Sequence, residues 1–383
     1  MTVPEFSARL AGRAFDIGRT AWNACANPQG AASPHPFTRY EFFDAVEGSG
    51  SATARTGWRP LHLVVERGGE IEGILPLYLK NHSQGEYVFD HAWADALERA
   101  GGDYYPKLQA SVPFTPATGR RFLTKSDDAR AALLMAGRAA VKELDASSLH
   151  VTFLTEEEWH AAGEAGYLLR ADQQFHWQNR GYTSFDQFLA ELSSSKRKNL
   201  RKERDAVRAA GVEFDWLTGS DLTEAHWDAF FEFYMDTGGR KWGHPYLTRD
   251  FFSRVGKSMA DQILLVMARM GRRPIAGALS FFGDGVLYGR NWGCSEFVPF
   301  LHFETCYYQA IEFAIARGLT KVEAGAQGEH KLLRGYLPVA THSAHYIAHP
   351  GLRRAVDDYL VRERDAVAAH IDELAEHGPF RKT

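Results

Sequence analysis

Hydrophobic positions recur in two registers along the chain, and each register predicts a type of element. From position 61 the text is strand-like through Leu61, Leu63, Val64 and Val65, crosses Gly68-Gly69, and resumes as Ile71, Ile74, Leu75, Leu77 and Leu79. Two β-rich runs, 61–66 and 71–80, about a Gly-Gly turn predict a hairpin. Between 127 and 144 the spacing turns helical, with Leu133, Leu134, Ala140, Val141 and Leu144 recurring at helical intervals. A short apolar run at 149–154 predicts a buried strand, 156–165 a helix and 167–177 a further strand. Upstream, the Pro, Gly and Ser content of 26–36 predicts a loop between a first helix and a second at 38–47.

The second half repeats this order. A helix is predicted over 193–210, stopped by Gly211, followed by a strand at 212–217 and helices at 221–237 and 248–260. A second hairpin, 262–270 and 274–282 about Gly271-Arg272-Arg273, carries Ile275-Ala-Gly-Ala-Leu279 where the first carries Ile71-Glu-Gly-Ile-Leu75. A strand at 286–292, a long helix at 302–317 and a strand at 321–326 complete the half. The shared order predicts an internal duplication at about 170 residues, with domains at 1–170 and 171–350 and a C-terminal helix in 351–383. That helix is amphipathic, with Val356, Leu360, Val367, Ile371 and Leu374 on one side, and is expected to pack on the body or on a twin subunit. The fold class read from this alternation is α/β.

Composition narrows the function classes. In 383 residues, 44 Lys and Arg face 48 Asp and Glu, so no global basic field draws the chain to nucleic acid or membrane, and any such contact is a local patch. Cys25, Cys294 and Cys306 are widely spaced and form no C-x-x-C, which excludes a disulfide framework and a thiolate zinc cage and predicts a reducing, cytoplasmic home. No metal and no resident cofactor are expected. The longest apolar runs, such as 263–268, fall far short of the roughly 20 residues a membrane span needs, and the N-terminus is polar where a signal peptide is apolar.

Four stretches carry candidate chemistry. Gly325-Ala-Gln-Gly-Glu-His-Lys-Leu-Leu-Arg-Gly-Tyr336 follows a strand, with glycines that permit close backbone approach and with Glu329, His330, Lys331 and Arg334 as acid, base and cations. The competing reading is a solvated loop. At the start of the long helix, His302 and Glu304 suit a general base and its orienting acid, or else a satisfied histidine and a carboxylate favoured by the helix dipole. His-x-Glu also opens a zinc deaminase signature, but no Pro-Cys-x-x-Cys follows. In the basic helix, Arg197, Arg201, Arg204 and Arg208 recur at three and four residues beside Lys198 and Lys202, a stripe that suits phosphates or is a solvated face. The aromatic and proline run 102–116, with Tyr104 and Lys107, reads as a shaped wall or a packed loop, as does 240–246 with Trp242.

These residues together, from Pro36-Phe37 through Tyr104-Tyr-Pro-Lys107, Pro113-Phe-Thr-Pro116, Phe175-His-Trp177, Lys196-Arg-Lys-Asn-Leu-Arg201, His302-Phe-Glu304 and Gly325-Ala-Gln-Gly-Glu-His-Lys331, resemble the Fem-like predicted N-acyltransferases, the peptidoglycan biosynthesis or recognition proteins of the GNAT superfamily. The resemblance covers nearly the whole chain. It implies a tandem of GNAT-like domains with mixed central sheets flanked by helices, the transferase site lying in the second. Asn199-Leu-Arg-Lys202 with Gly211-Val212 is similar to the basic helix of the Fem ligases, and Arg334-Gly-Tyr336 to the end of their transferase loop. In one respect the chain departs from acetyl-CoA enzymes. They cradle pyrophosphate on a glycine-rich turn opening the long helix, where this chain has Gly289-Arg-Asn-Trp-Gly-Cys-Ser-Glu-Phe-Val-Pro299.

The expected activity is transfer of an aminoacyl group, from aminoacyl-tRNA, to a primary amine of a peptide or small-molecule acceptor, forming an amide. In this reading Glu304, His302, Glu329 and His330 handle the proton. Lys331, Arg334, Tyr336, Gln327, Tyr104, Lys107 and Trp242 bind donor or acceptor, and Arg197, Lys198, Arg201, Lys202 and Arg204 meet tRNA phosphates. An acyl-CoA-dependent N-acyltransferase of a small amine and a non-catalytic tRNA- or peptide-binding module are the alternatives, and an oligomer is compatible with each.

Overall fold

The computed structural model of the chain describes residues 5–242, 245–325 and 328–381, the side chains of 240–242 excepted. The chain forms two compact units, Met1–Asp172 with Ala340–Ala369, and Gln173–Val339 with His370–Thr383. This differs from the expected division at its C-terminal third. Residues 342–347 pair with strand Ser148–Leu154 of the first unit, and Leu352, Val356 and Leu360 bury beside Trp93, Leu97 and Tyr104 of that unit. The helix Pro350–Glu376 is therefore not a separate body.

In the first unit, strand Ser148–Leu154 runs parallel to Lys107–Ala110, which pairs antiparallel with Leu77–Lys80, and that strand with Trp58–Pro60. Leu77, Leu108, Ala110, Leu149, Val151 and Ala344 form one core with Leu133, Leu134 and Val141 of helix Asp127–Glu143. Ser126 starts that helix by accepting a hydrogen bond from the Ala129 N–H, as an N-cap serine does. A smaller sheet joins Ser7–Ala11, His62–Arg67, Glu70–Leu75 and Leu123–Thr124. The first hairpin forms as the sequence predicts. Gly68 and Gly69 both take positive φ, 64° and 88°, which a two-residue hairpin turn requires. The expected single strand 71–80 is two strands in different sheets, because Pro76 has no N–H with which to continue a ladder.

The second unit opens with a meander of Val212–Leu217, Ile263–Met270, Arg273–Gly283 and Val286–Cys294. The last of these pairs in parallel with Lys321–Glu323, which pairs antiparallel with residues 176–178 of strand Leu168–Gln178. Trp177, Phe188, Leu264, Leu287, Tyr308, Ile311, Val322 and Tyr336 share its core. The expected strand 321–326 is shorter, its ladder with Val286–Cys294 ending at Tyr288 and Glu323. Strand Leu337–Ile347 had no counterpart in the sequence reading. Its small and polar text, Ala-Thr-His-Ser-Ala-His, lacks the apolar run or β-branched alternation by which strands are recognised. Among the described residues no helix is long and apolar enough to cross a membrane.

Candidate functional site

Where the ladder between Val286–Cys294 and Lys321–Glu323 ends, the chain enters the loop that becomes the 3-10 turn Glu329–Arg334. Two glycines shape it. Gly328 has φ 110°, and a Cβ there would meet the His330 ring, while Gly335, at φ 89°, lies so close to Phe188 that a Cβ would stand 2.6 Å from its ring. Facing this turn is the long helix Leu301–Ala316, which widens into a π turn over Glu304–Tyr308. One π turn shifts the helical phase by a residue. Tyr307 and Tyr308 are both buried there.

The turn and the π segment share a set of side chains. Tyr307 OH lies 2.9 Å from His330 Nε2, and Tyr336 OH donates to the Tyr307 carbonyl at 3.3 Å. His330 itself is exposed. His302, half-buried, sets its ring 5.4 Å from Tyr307 and 6.2 Å from His330, centre to centre. Arg334 is buried, stacks its guanidinium 3.4 Å over Phe303, and donates to the His330 carbonyl and to Glu203, each at 2.7 Å. Glu203 also accepts from Tyr308 OH. Arg334 thus ties the turn to the basic helix through Nη1 and Nη2, while its buried Nε has no hydrogen-bond partner.

Lys331 is 2% exposed, and its Nζ donates to the Gly325 carbonyl at 2.9 Å. Burial pulls its pKa down to about 8, with Cys306 the electrostatic neighbour acting in the opposite sense. Its charge reaches His176, which burial holds down to about 4 beside Glu323. Lys331, His176 and Glu323 are therefore a buried titratable group at the point where the strand ladder stops.

Glu304 occupies a different environment. It is 3% exposed and accepts from Arg204 Nε at 3.0 Å, from Arg204 Nη2 at 2.8 Å and from Gln309 Nε2 at 2.8 Å. Arg204 also binds Glu312 through two contacts, at 2.9 and 2.8 Å, and lies 4.4 Å above the Phe185 ring. Clefts of about 320 and 390 Å³ flank this pair, both lined by Arg204, Arg208 and Glu312.

The helix Ser194–Ala209 buries Leu200, Arg204 and Val207. Lys198, Arg201 and Lys202 are exposed and Arg197 is half-buried. Arg204, expected on the open stripe, is instead turned inward by three residues of helix rotation from Arg201 and neutralised by two glutamates, so it is not placed to meet a phosphate. Glu329 is exposed on the turn, and Tyr336 is fully buried. Gln327 lies outside the described residues. Trp242 ends helix Glu224–Trp242, and its side chain lies outside them as well. Tyr104 and Lys107 belong to the first unit, where both are buried, so the expected wall is interior structure. Glu203, Phe303, Tyr307 and Glu312 were missed. Glu203 reads in sequence as one acid within a run of cations, and only the fold reveals Arg334 and Tyr308 beside it.

The fold has counterparts among solved structures. FemX aligns over 89% of this chain and 98% of its own, with a TM-score of 0.55 and 12% identity. L-PGS from Bacillus licheniformis aligns over 87% of this chain and 99% of its own, at 0.51 and 10%. At such identities the likeness is one of fold, the tandem GNAT-like α/β architecture. No curated protein sequence matches the chain. The FemAB-like family, described as peptidoglycan biosynthesis/recognition, matches residues 13–382, so the chain belongs to that family.

Proposed function

We propose that the protein is an N-acyltransferase that moves an aminoacyl group from aminoacyl-tRNA to a primary amine, with its reacting centre beside the turn Glu329–Arg334. The observation that carries this reading is Lys331, a lysine buried at the end of a strand ladder with its ammonium at the Gly325 carbonyl. A buried cation at a strand end is suited to stabilise the oxyanion formed when an amine attacks an ester carbonyl. The new C–N bond forms as the neutral amine attacks. The oxyanion collapses, the ester C–O bond breaks, and the ribose oxygen leaves with the proton that His330 has taken from the amine. His330, which shares a hydrogen bond with Tyr307, takes the proton that the amine loses. Glu304 and Arg334 act through others, holding Arg204 and the turn in place. Holding donor and acceptor together contributes much of the acceleration.

The exposed cations Lys198, Arg201 and Lys202 support a polyanionic donor. The members of the family and the fold of FemX agree with this reading without fixing donor or acceptor. Incubation of the full chain with labelled aminoacyl-tRNA or labelled acyl-CoA, each with an amine acceptor, tests it. Amine-dependent release from tRNA is expected, and Lys331→Met should lower it at least about a hundredfold. Release from acyl-CoA alone would replace the donor, and no release from either would leave a binding module.

A further inference from the structure

The long helix of the second unit is entered through a short loop, residues 295–300, whose side chains divide sharply between inside and outside. Val298 and Leu301 pack inward with Val207, Val212 and Ile275. Phe297, Pro299 and Phe300 are exposed. At 91%, Phe297 is the most exposed large apolar side chain among the described residues, and Phe300 is 38% exposed.

The backbone holds this arrangement. Phe300 takes φ 66° and ψ 2°, the left-handed region that a bulky residue rarely adopts. Backbone bonds close the turn on either side of it, from the Leu301 N–H to the Val298 carbonyl at 3.2 Å and from the Glu304 N–H to the Phe300 carbonyl at 3.0 Å. Apolar surface in water and a strained residue both cost free energy. The loop therefore presents its rings at a cost that no packing within the chain offsets.

The surroundings of the loop indicate what it meets. The hairpin tip Gly271-Arg272-Arg273 lies against it, with the Ser295 N–H donating to the Ile275 carbonyl at 2.9 Å and Arg273 paired to Glu296. Both arginines are exposed, and because Glu296 offsets Arg273, the tip keeps the charge of Arg272. Toward the candidate site, the Phe300 ring stands 6.4 Å from Phe303, the ring beneath Arg334, and Leu333 on that turn is 43% exposed. Two phenylalanine side chains bury at most about 300–500 Å², short of the roughly 800 Å² per partner in a stable protein interface. A bilayer demands no complementary shape. Aromatic tips enter the headgroup boundary, and adjoining cations meet anionic headgroups.

We propose that the loop 295–300 docks the protein on an anionic lipid surface, with Phe297, Pro299 and Phe300 entering the interface and Arg272 meeting the headgroups. Attachment is peripheral, through one loop, and brings the turn Glu329–Arg334 to the lipid surface by way of Phe303. It does not depend on the chemistry performed at Lys331.

Flotation of the full chain with vesicles tests this, one set of phosphatidylcholine alone and one of equal parts phosphatidylcholine and phosphatidylglycerol. Binding to the mixed vesicles is expected, and weaker binding to the neutral ones. Phe297→Ser combined with Phe300→Asn, asparagine being tolerant of a left-handed φ, should weaken binding at least about tenfold. The free double variant should melt within about 2 °C of the wild type, because the substituted rings face solvent. Arg272→Ala should weaken binding about fivefold, while Phe297→Trp should bind at least as well as the wild type, since tryptophan favours the membrane interface. The proposal is overturned if neither vesicle binds at millimolar lipid, or if the double variant binds as the wild type does, which would make the contact an adsorption of the basic helix. It is equally overturned if the free double variant melts about 5 °C or more below the wild type, a loss that would show the rings to be packed within the protein. Sedimentation velocity supplies a further contrary outcome: a wild-type dimer that the double variant dissolves, without vesicle binding, would make the loop a contact between copies of the chain.

Discussion

Lys331 carries its ammonium into the interior, and the energetics of that burial yield a test independent of activity. Its pKa falls from 10.5 to about 8 because burial disfavours the charged form. The unfolded chain keeps the proton up to about pH 10.5, whereas the folded chain releases it near pH 8, so stability rises with pH across that window. The penalty is complete below pH 8. Lys331→Met should therefore stabilise the protein at pH 7 by about 1–3 kcal/mol, net of the lost bond to Gly325, with the gain shrinking toward pH 10. Urea unfolding at the two pH values measures it. A variant more stable and far less active is the signature of a functional group; equal stability at both pH values would show that the ammonium is not strained by burial.

Glu304 makes the opposite case. Its carboxylate is filled by Arg204 and Gln309, so Glu304→Gln should cost about 1–3 kcal/mol of stability, Glu312 retaining part of the pair. It should lower the rate without moving the pH profile, whereas His330→Gln should remove the profile's acidic limb. A pH–rate comparison of the two variants decides which residue handles the proton.

At the scale of elements, the basic helix divides its cations between interior and surface. Arg201 is exposed with only a 3.6 Å contact to Asp186, while Arg204, one turn on, is enclosed by Glu304 and Glu312. If the exposed row meets tRNA, binding falls with salt, and Arg201→Ala should reduce the slope of log affinity against log salt by about 0.7–0.9. Arg204→Ala should instead lower the melting temperature while any residual binding keeps the wild-type slope. Fluorescence anisotropy across a salt series checks both. Two unchanged slopes would make the helix a solvated face and remove the main support for a tRNA donor.

For the whole molecule, the path of the chain matters more than the order of its elements. The first unit requires residues 342–347 beside Ser148–Leu154, and it buries Leu352, Val356 and Leu360, although all three lie far along the sequence. A chain ending at Val339 keeps residues 1–172 intact yet leaves that strand edge open and the cluster of Trp93, Leu97, Tyr104 and Leu168 uncovered. Such a truncation should lose the first unit's cooperative unfolding and bind a hydrophobic dye, by circular dichroism and fluorescence. Wild-type-like unfolding would show that the first unit is self-sufficient.

Local pattern determined much of this protein. Both hairpins and the helices Asp127–Glu143, Ser194–Ala209 and Pro350–Glu376 were legible, as was the run of glycine, acidic and basic residues after Glu323, because periodicity, glycine turns and caps act over a few residues. The family resemblance was legible for the same reason, resting on contiguous motifs. What only the tertiary structure decided was partnership. The strand Leu337–Ile347 hid because its inward polar face, Ser343 and His345, finds its partners on Ser148–Leu154, nearly two hundred residues away in sequence. Arg204 and Arg201 look alike as letters, but desolvation and two glutamates gathered from the long helix make one a buried ion pair and leave the other open to solvent. Tyr104 and Lys107 stand out in the sequence within an aromatic and proline run, but their setting among Glu86, Asp90 and His150 exists only after folding, since electrostatic and hydrogen-bond energies depend on distance in space and not on separation along the chain.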